Sequence, residues 1–147
     1  MSAPRVLIVD DDRAIRQLLR VITERSGLIT DEAANGEECL SLIKRHVYDL
    51  ILLDLSMPGS NGFDVIDALH ALADRPAVIV VTALSRWVFT DLDPDVVTCV
   101  VRKPFDVAEV SWVIVQVATG VHARRKHPSQ QVPLDSPYRE ITSRDVC

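Results

Sequence analysis

The chain has 147 residues, a length that suits one domain with a terminal segment better than two domains. Apolar residues make up 48% and charged residues 25%, ordinary globular usage that is enough to build a core. The formal charge is −5 with no long basic block, which speaks against direct nucleic-acid binding, because phosphate backbones attract clustered Lys and Arg. Other classes are excluded as simply. The longest apolar run, "VSWVIVQVATGV", falls short of the roughly 20 residues of a membrane span. The opening "MSAPRVLIVDDD" lacks the apolar region of a signal peptide. The three cysteines, Cys39, Cys99 and Cys147, are odd in number and form no C-x-x-C pair. Neither a disulfide framework nor a zinc site is indicated, and a reduced, cytoplasmic setting is expected.

In chain order, "RVLIV" (Arg5–Val9) is a β-branched strand that runs into three aspartates. "DDRAIRQLLRVITERSG" follows with Ile15, Leu18, Leu19 and Ile22 at helical spacing and Gly27 as a stop. "LITDEA" reads as the second strand. Asn35 is a plausible N-cap for "GEECLSLIKRH", whose Cys39, Leu40, Ile43 and Val47 are expected on one face. "DLILLD" is the third strand, and "GFDVIDALHAL" carries Phe63, Ile66 and Leu69 on a helical face. "AVIVVTA" (Ala77–Ala83) and "VVTCVV" (Val96–Val101) are the fourth and fifth strands. "DVAEVSWVIVQVATG" forms the last helix, capped by Asp106. Between the fourth and fifth strands, "LSRWVFTDLDPDVVT" fits a helix badly, so that helix is expected to be short, shifted or absent, or confined to "SRWVFTDL".

Strands apolar on both faces imply a parallel sheet covered by helices on each side. Five βα units over about residues 4–120 suit a doubly wound α/β fold of strand order 2-1-3-4-5, with its crevice at the carboxyl ends of strands 1 and 3. After Gly120 the prolines rise and periodicity vanishes, so residues 121–147 read as a flexible tail. The "RRKH" run in it reads as a solvated helix end, where cations suit the dipole.

The strand ends hold the chemistry. Strand 1 ends at Asp10 and Asp11, strand 3 at Asp54, strand 4 at Thr82 and strand 5 at Lys103, all on one edge of a parallel sheet. Taken singly, each has a plain explanation: acids after a strand suit a helix start, which is the whole role assigned to Asp12, and a strand-end Thr or a loop Lys is commonly structural. Together, in this order, they form a site. Three converging acids repel and raise one another's pKa values unless a cation intervenes, and oxygen-only ligands suit Mg²⁺. A carboxylate beside that metal can attack a phosphoryl group, with Thr82 and Lys103 stabilising the charge that develops.

With these residues on the page, the chain resembles the receiver domain of bacterial two-component response regulators. The resemblance spans about residues 4–120 and rests on "LIVDDD", "DLILLDLSMPGSNG", "VVTA" and "VRKPF". It implies a flavodoxin-like (βα)5 fold. It also implies Asp54 as phosphoacceptor, Asp11 as direct and Asp10 as mainly water-mediated Mg²⁺ ligand, and the Ser56 carbonyl as a further ligand. Thr82 and Lys103 would contact the phosphoryl group, and the Lys103–Pro104 bond would be cis. The implied donor is a phosphohistidine on a sensor histidine kinase or phosphotransfer protein. The implied output is an unidentified downstream protein bound through the fourth-helix and fifth-helix face, where Trp87, Val88, Phe89, Trp112 and Val113 stand.

The sequence departs from that pattern in places. Val100 stands where receivers carry an aromatic residue, and Leu84 replaces a residue that tunes dephosphorylation. Asn61-Gly62 replaces Asp-Gly, an exchange a left-handed turn tolerates. No output domain fits after Gly120, so a stand-alone receiver is expected, or the receiver part of a longer regulator. Two other readings compete with the phosphoacceptor switch. A receiver-like binding module that works without phosphorylation is favoured by Val100 and the odd fourth helix. A haloacid-dehalogenase-type phosphohydrolase would need an acid where Ser56 stands.

Overall fold

The computed structural model describes residues 2–57, 60–84, 91–126 and 139–141. The alternation of apolar runs and amphipathic stretches produces, in chain order, β1 (Arg5–Val9), α1 (Arg13–Arg25), β2 (Ile29–Ala33), α2 (Gly36–Arg45) and β3 (Leu50–Leu53). A short antiparallel hairpin of β4 (Ser56–Met57) and β5 (Ser60–Asn61) leads into α3 (Gly62–His70). Then come β6 (Ala77–Thr82), β7 (Val97–Arg102), α4 (Val107–Lys126) and β8 (Arg139–Ile141).

One sheet runs β2-β1-β3-β6-β7-β8, with every neighbouring pair parallel. Its first five strands stand in the order expected from the sequence. Side chains alternate across it with the strand period of two. Leu7, Val9, Ile51, Leu53, Val78 and Val80 face a core closed by α2 and α3 through Cys39, Val65, Ile66 and Leu69. Val6, Ile8, Leu50, Leu52, Ile79 and Val81 face the other, closed by α1 and α4 through Leu19, Ile22, Val113, Ile114 and Ala118. Each such side chain contributes about 1.5–3 kcal/mol when fully buried, and this two-sided burial holds the strand ends in place.

The expected caps are present. The Asp12 carboxylate accepts from the amides of Ala14 and Ile15, Asn35 accepts from Glu38 N at 2.8 Å, and Asp106 accepts from Glu109 N at 3.0 Å. Gly27 takes the left-handed φ of 80° that ends α1. Three expectations change. Helix α2 stops at Arg45 and meets the core through buried Cys39 and half-buried Leu42 and Ile43 in place of Leu40, and Val47 lies beyond it at 66% exposure. Of the two residues of α4 placed on the output face, Val113 is core instead, while Trp112 is 44% exposed as that face requires. Asn61-Gly62 makes no left-handed turn: among the described residues no non-glycine has a positive φ. Gly62 is required instead by close approach, since a Cβ there would lie 2.7 Å from both the Asp54 carbonyl oxygen and Leu55 Cα.

Between β6 and β7 the described residues 91–96 form turns without an α-helix, with the Asp93 carbonyl accepting from Val96 N and Val97 N. The short helix expected over "SRWVFTDL" falls mainly on residues 85–90, with Trp87, Val88 and Phe89, outside the described residues. The tail expected from residue 121 is ordered at two points. Helix α4 runs past Gly120 to Lys126, because Val121 prolongs its buried stripe, and β8 pairs with the outer edge of β7 from Cys99↔Arg139 to Val101↔Ile141. Among the described residues no helix is long and apolar enough to cross a membrane.

Arg125, read from sequence as part of a solvated helix end, fastens α4 to the floor of the sheet. Its Nη1 donates to Asp49 Oδ1 at 3.0 Å and to the Tyr48 carbonyl at 2.6 Å. The buried Asp49 carboxylate also accepts from Arg5 N at 2.9 Å and lies 3.2 Å from His122 Nδ1. Asp49→Ala therefore breaks a buried charge pair and is expected to lower stability by about 3 kcal/mol, read as a shift in the urea midpoint. Gly62→Ala forces backbone apart beside Asp54 and is expected to cost about 1–3 kcal/mol in the same measurement; an unchanged midpoint would contradict the close approach.

Candidate functional site

The register of the sheet assembles the site. Val9 pairs with both Ala33 and Leu53, so the residues that follow, Asp10 and Asp54, emerge side by side at the carboxyl edge. The ladder continues one step into them: Asp10 N donates to the Ala33 carbonyl at 3.2 Å and Asp54 N to the Val9 carbonyl at 2.9 Å. Thr82 pairs with Arg102, which brings Lys103 to the same edge, and Lys103 N donates to the Thr82 carbonyl at 2.9 Å. The Lys103–Pro104 bond is cis, as the resemblance implied.

The side chains converge as the strand ends require. Lys103 Nζ donates to Asp10 Oδ2 at 2.7 Å and to Asp54 Oδ2 at 3.3 Å. Carboxylate oxygens of Asp10, Asp11 and Asp54 all lie within 4.8 Å of one another. Asp10 and Asp54 are 1% and 5% exposed, while Asp11 is open to solvent. The remaining oxygens of the buried pair are held by backbone: Asp10 Oδ1 accepts from Asp12 N at 2.9 Å, and Asp54 Oδ1 from Ser56 N at 3.1 Å. Thr82 is buried at the end of β6, and its Oγ1 accepts from Leu84 N at 3.2 Å, which leaves the hydroxyl proton to donate. Val100 is buried in the core, so no aromatic ring stands three residues before Lys103.

Burial raises the Asp10 pKa, with repulsion from Asp54 adding to it, and the bonds from Lys103 and Asp12 N do not fully offset the rise. Burial alone would lower the Lys103 pKa; its bonds to Asp10 and Asp54 outweigh that and raise it, so it stays an ammonium. Among these four groups three carboxylates share one ammonium, an excess of negative charge in a half-closed site. An all-oxygen donor set with that excess fits a hard divalent cation.

Two further residues belong to this surrounding: Gly62, read from sequence only as part of a turn, and Arg16, which sequence reasoning passed over. Gly62 packs its backbone on the Asp54 carbonyl. Arg16 donates from Nη1 to the Asp10 carbonyl at 2.7 Å. Arg16 had a sequence signal, a cation in the first turn of a helix, where the dipole disfavours it unless a specific partner is present.

Known proteins are similar to this chain in sequence and in fold. A family profile described as the response regulator receiver domain matches residues 6–114. Sporulation initiation phosphotransferase F of Bacillus subtilis is 31% identical over 111 residues, spanning 75% of this chain and 90% of that protein. Transcriptional regulatory protein ResD of Bacillus subtilis is 43% identical over 79 residues, which are 54% of this chain but only 32% of ResD. Among solved structures, response regulator protein TrrA of Thermotoga maritima, in complex with Mg²⁺-BeF, is 32% identical with a TM-score of 0.70, over 78% of this chain and 98% of that one. The chain belongs to the response regulator receiver domains, the signalling domains that accept a phosphoryl group in two-component systems.

Proposed function

We propose that this chain is a phosphoryl-accepting switch with Asp54 as the acceptor, loaded in the presence of Mg²⁺ by a sensor histidine kinase or a histidine phosphotransfer protein. The observation that carries the reading is Lys103 Nζ bridging Asp10 and Asp54 beside a third carboxylate, Asp11. A purely structural aspartate would be neutralised by its partners, as Asp49 is.

Asp10, Asp11 and Asp54, with the Ser56 carbonyl, would hold the metal. Bound there, Mg²⁺ offsets the excess negative charge and supplies a Lewis acid to phosphoryl oxygens. The chain's own residues do the rest. An Asp54 carboxylate oxygen attacks phosphorus, an O–P bond forms, and the N–P bond to the donor imidazole breaks. The N–P electron pair stays on the imidazole nitrogen, which takes up a proton from solvent water. Lys103 exchanges an Asp54 oxygen for phosphoryl oxygen, and the Thr82 hydroxyl donates to another. Water later attacks phosphorus and frees Asp54. Leu84, half-buried against the core beside Thr82, makes that approach more apolar and favours a long-lived phosphoryl group. Cys39 and Cys99 are buried and form no disulfide among the described residues, which goes with a reduced, cytoplasmic setting. The downstream partner is a protein docked on the surface around the β6–β7 connection and α4, where Trp112 is exposed. One observation, Val100 in place of an aromatic, favours the second reading of a binding module that works without phosphorylation.

Intact mass after incubation with Mg²⁺ and acetyl phosphate separates the two readings. A single labile phosphoryl adduct is expected on the parent, absent from Asp54→Asn and suppressed by EDTA. Folded, Mg²⁺-loaded protein that never gains the adduct would leave the binding module as the better reading. A pH series tests the metal site. Because burial raises the Asp10 pKa, a proton competes with Mg²⁺ at higher pH than for an ordinary aspartate, whose pKa is about 3.9. In metal-free protein the contribution of Asp10 to stability is present below that ordinary value and lost as pH rises through its elevated one. The Mg²⁺-induced rise in Tm is therefore expected to be larger at about pH 7.5 than at about pH 5. A pH-independent rise would place Mg²⁺ elsewhere.

A further inference from the structure

The first turn of α1 contains Arg13 and Arg16 and no acid, the wrong sign for a helix N-terminus. A cation held there needs a specific partner, and Arg16 has two. Its Nη1 donates to the main-chain carbonyl of Asp10 at 2.7 Å, and its Nε lies 3.5 Å from Glu32 Oε1 on β2. Glu32 is paired in turn with Arg20, which also bonds Glu24 at 2.8 Å. The Arg16 side chain is 16% exposed, so its fork is largely withdrawn from solvent.

The carbonyl that Arg16 grips belongs to the peptide unit joining Asp10 to Asp11. Every other polar group of Asp10 is already fixed. Its amide bonds Ala33, and its carboxylate is held by Asp12 N and Lys103 Nζ. The Asp10–Asp11 peptide plane is the part of Asp10 that these bonds leave for Arg16 to fix. Rotation of that plane would carry the exposed Asp11 carboxylate away from Asp10 and Asp54. We infer that Arg16, braced by Glu32, is a positioning residue that locks this peptide plane and so keeps Asp11 in the cation site. The inference rests on the reading of Asp10, Asp11 and Asp54 as metal ligands. Arg16 itself touches no reacting atom.

Charge and geometry predict opposite signs, which makes the idea testable. As a nearby cation, Arg16 would repel Mg²⁺, so its removal would tighten binding. As a positioning residue, its removal loosens binding. Glu32 offsets the charge of Arg16, so the geometric effect is the larger. Removing a partner that orients a metal ligand typically weakens affinity about 10–100-fold.

The experiment is calorimetric titration with Mg²⁺ of the parent, Arg16→Ala, Arg16→Lys and Arg20→Ala, alongside Tm in EDTA. Arg16→Ala is expected to bind about tenfold more weakly, and Arg16→Lys, which keeps a cation but has a single donor nitrogen in place of the fork, to recover part of the loss. Arg20→Ala also breaks a bond to Glu32 but leaves the Asp10 carbonyl gripped, so its affinity is expected to stay within about twofold of the parent at a similar metal-free Tm. Should Arg16→Ala fail to unfold cooperatively, Arg16→Gln takes its place with the same expected direction. Arg16→Ala binding as tightly as the parent, or tighter, overturns the inference. Arg20→Ala weakened as much as Arg16→Ala also overturns it, by making the effect one of α1–β2 cohesion. A parent that binds no Mg²⁺ strikes the metal-site reading itself, a result distinct from either.

Discussion

An ammonium 2.7 Å from one buried carboxylate and 3.3 Å from another sets the terms for the rest of this molecule. Lys103 cannot neutralise Asp10, Asp11 and Asp54 together, so their mutual repulsion must be resisted from below. The resistance comes from strands whose side chains are buried on both faces. Val6–Val9, Leu50–Leu53 and Val78–Val81 are all core, and a one-residue slip would turn each side chain into the opposite core, where its shape does not fit. The register that buries them is the same register that sets Asp10 beside Asp54 and Lys103 beyond Thr82. Packing energy thus holds a charge arrangement that electrostatics alone would disperse.

The two ends of the sheet make an instructive contrast. At the floor, Asp49 accepts from Arg5 N and Arg125 and faces His122, so one carboxylate has several partners. At the carboxyl edge, three clustered carboxylates have one ammonium among them, Lys103, which bonds only Asp10 and Asp54. The first arrangement is closed and serves cohesion, tying α4 and the start of β1 together. The second is left with unmet negative charge and an exposed member, Asp11, which opens it to solvent. Burial alone does not tell the two kinds of aspartate apart. The balance of donors around each does.

Around the reactive edge, the supporting contacts are made by main chain as much as by side chains. Ser56 N and Asp12 N orient the carboxylates, Gly62 lets α3 approach the Asp54 carbonyl, and Arg16 grips the Asp10 carbonyl. These contacts fix peptide planes, and so they fix where the acids point when no ligand is present. Such preorganisation avoids rearranging charged groups during phosphoryl transfer.

Much of this was legible from residues alone, and the reason is periodicity. The apolar runs, their lengths and the acids, hydroxyl and lysine at their ends are local features, and a parallel sheet brings such ends to one edge whatever else happens. Asp10, Asp11, Asp54, Thr82 and Lys103, the caps at Asp12, Asn35 and Asp106, and the order of five strands were all readable in that way. Contacts between distant parts of the chain were not. Val47 looked like part of a helical face until α2 ended at Arg45. Arg125 looked solvated until the fold placed Asp49 beneath it. Residues 139–141 carried no strand signal, and they form β8 because β7 offers an open edge to pair with. Sequence by itself determined the first five strands of the sheet, their order and the residue types at their ends, because these are set by neighbours along the chain. Tertiary structure decided which charges are satisfied and which are left to react, because that depends on partners far away in sequence.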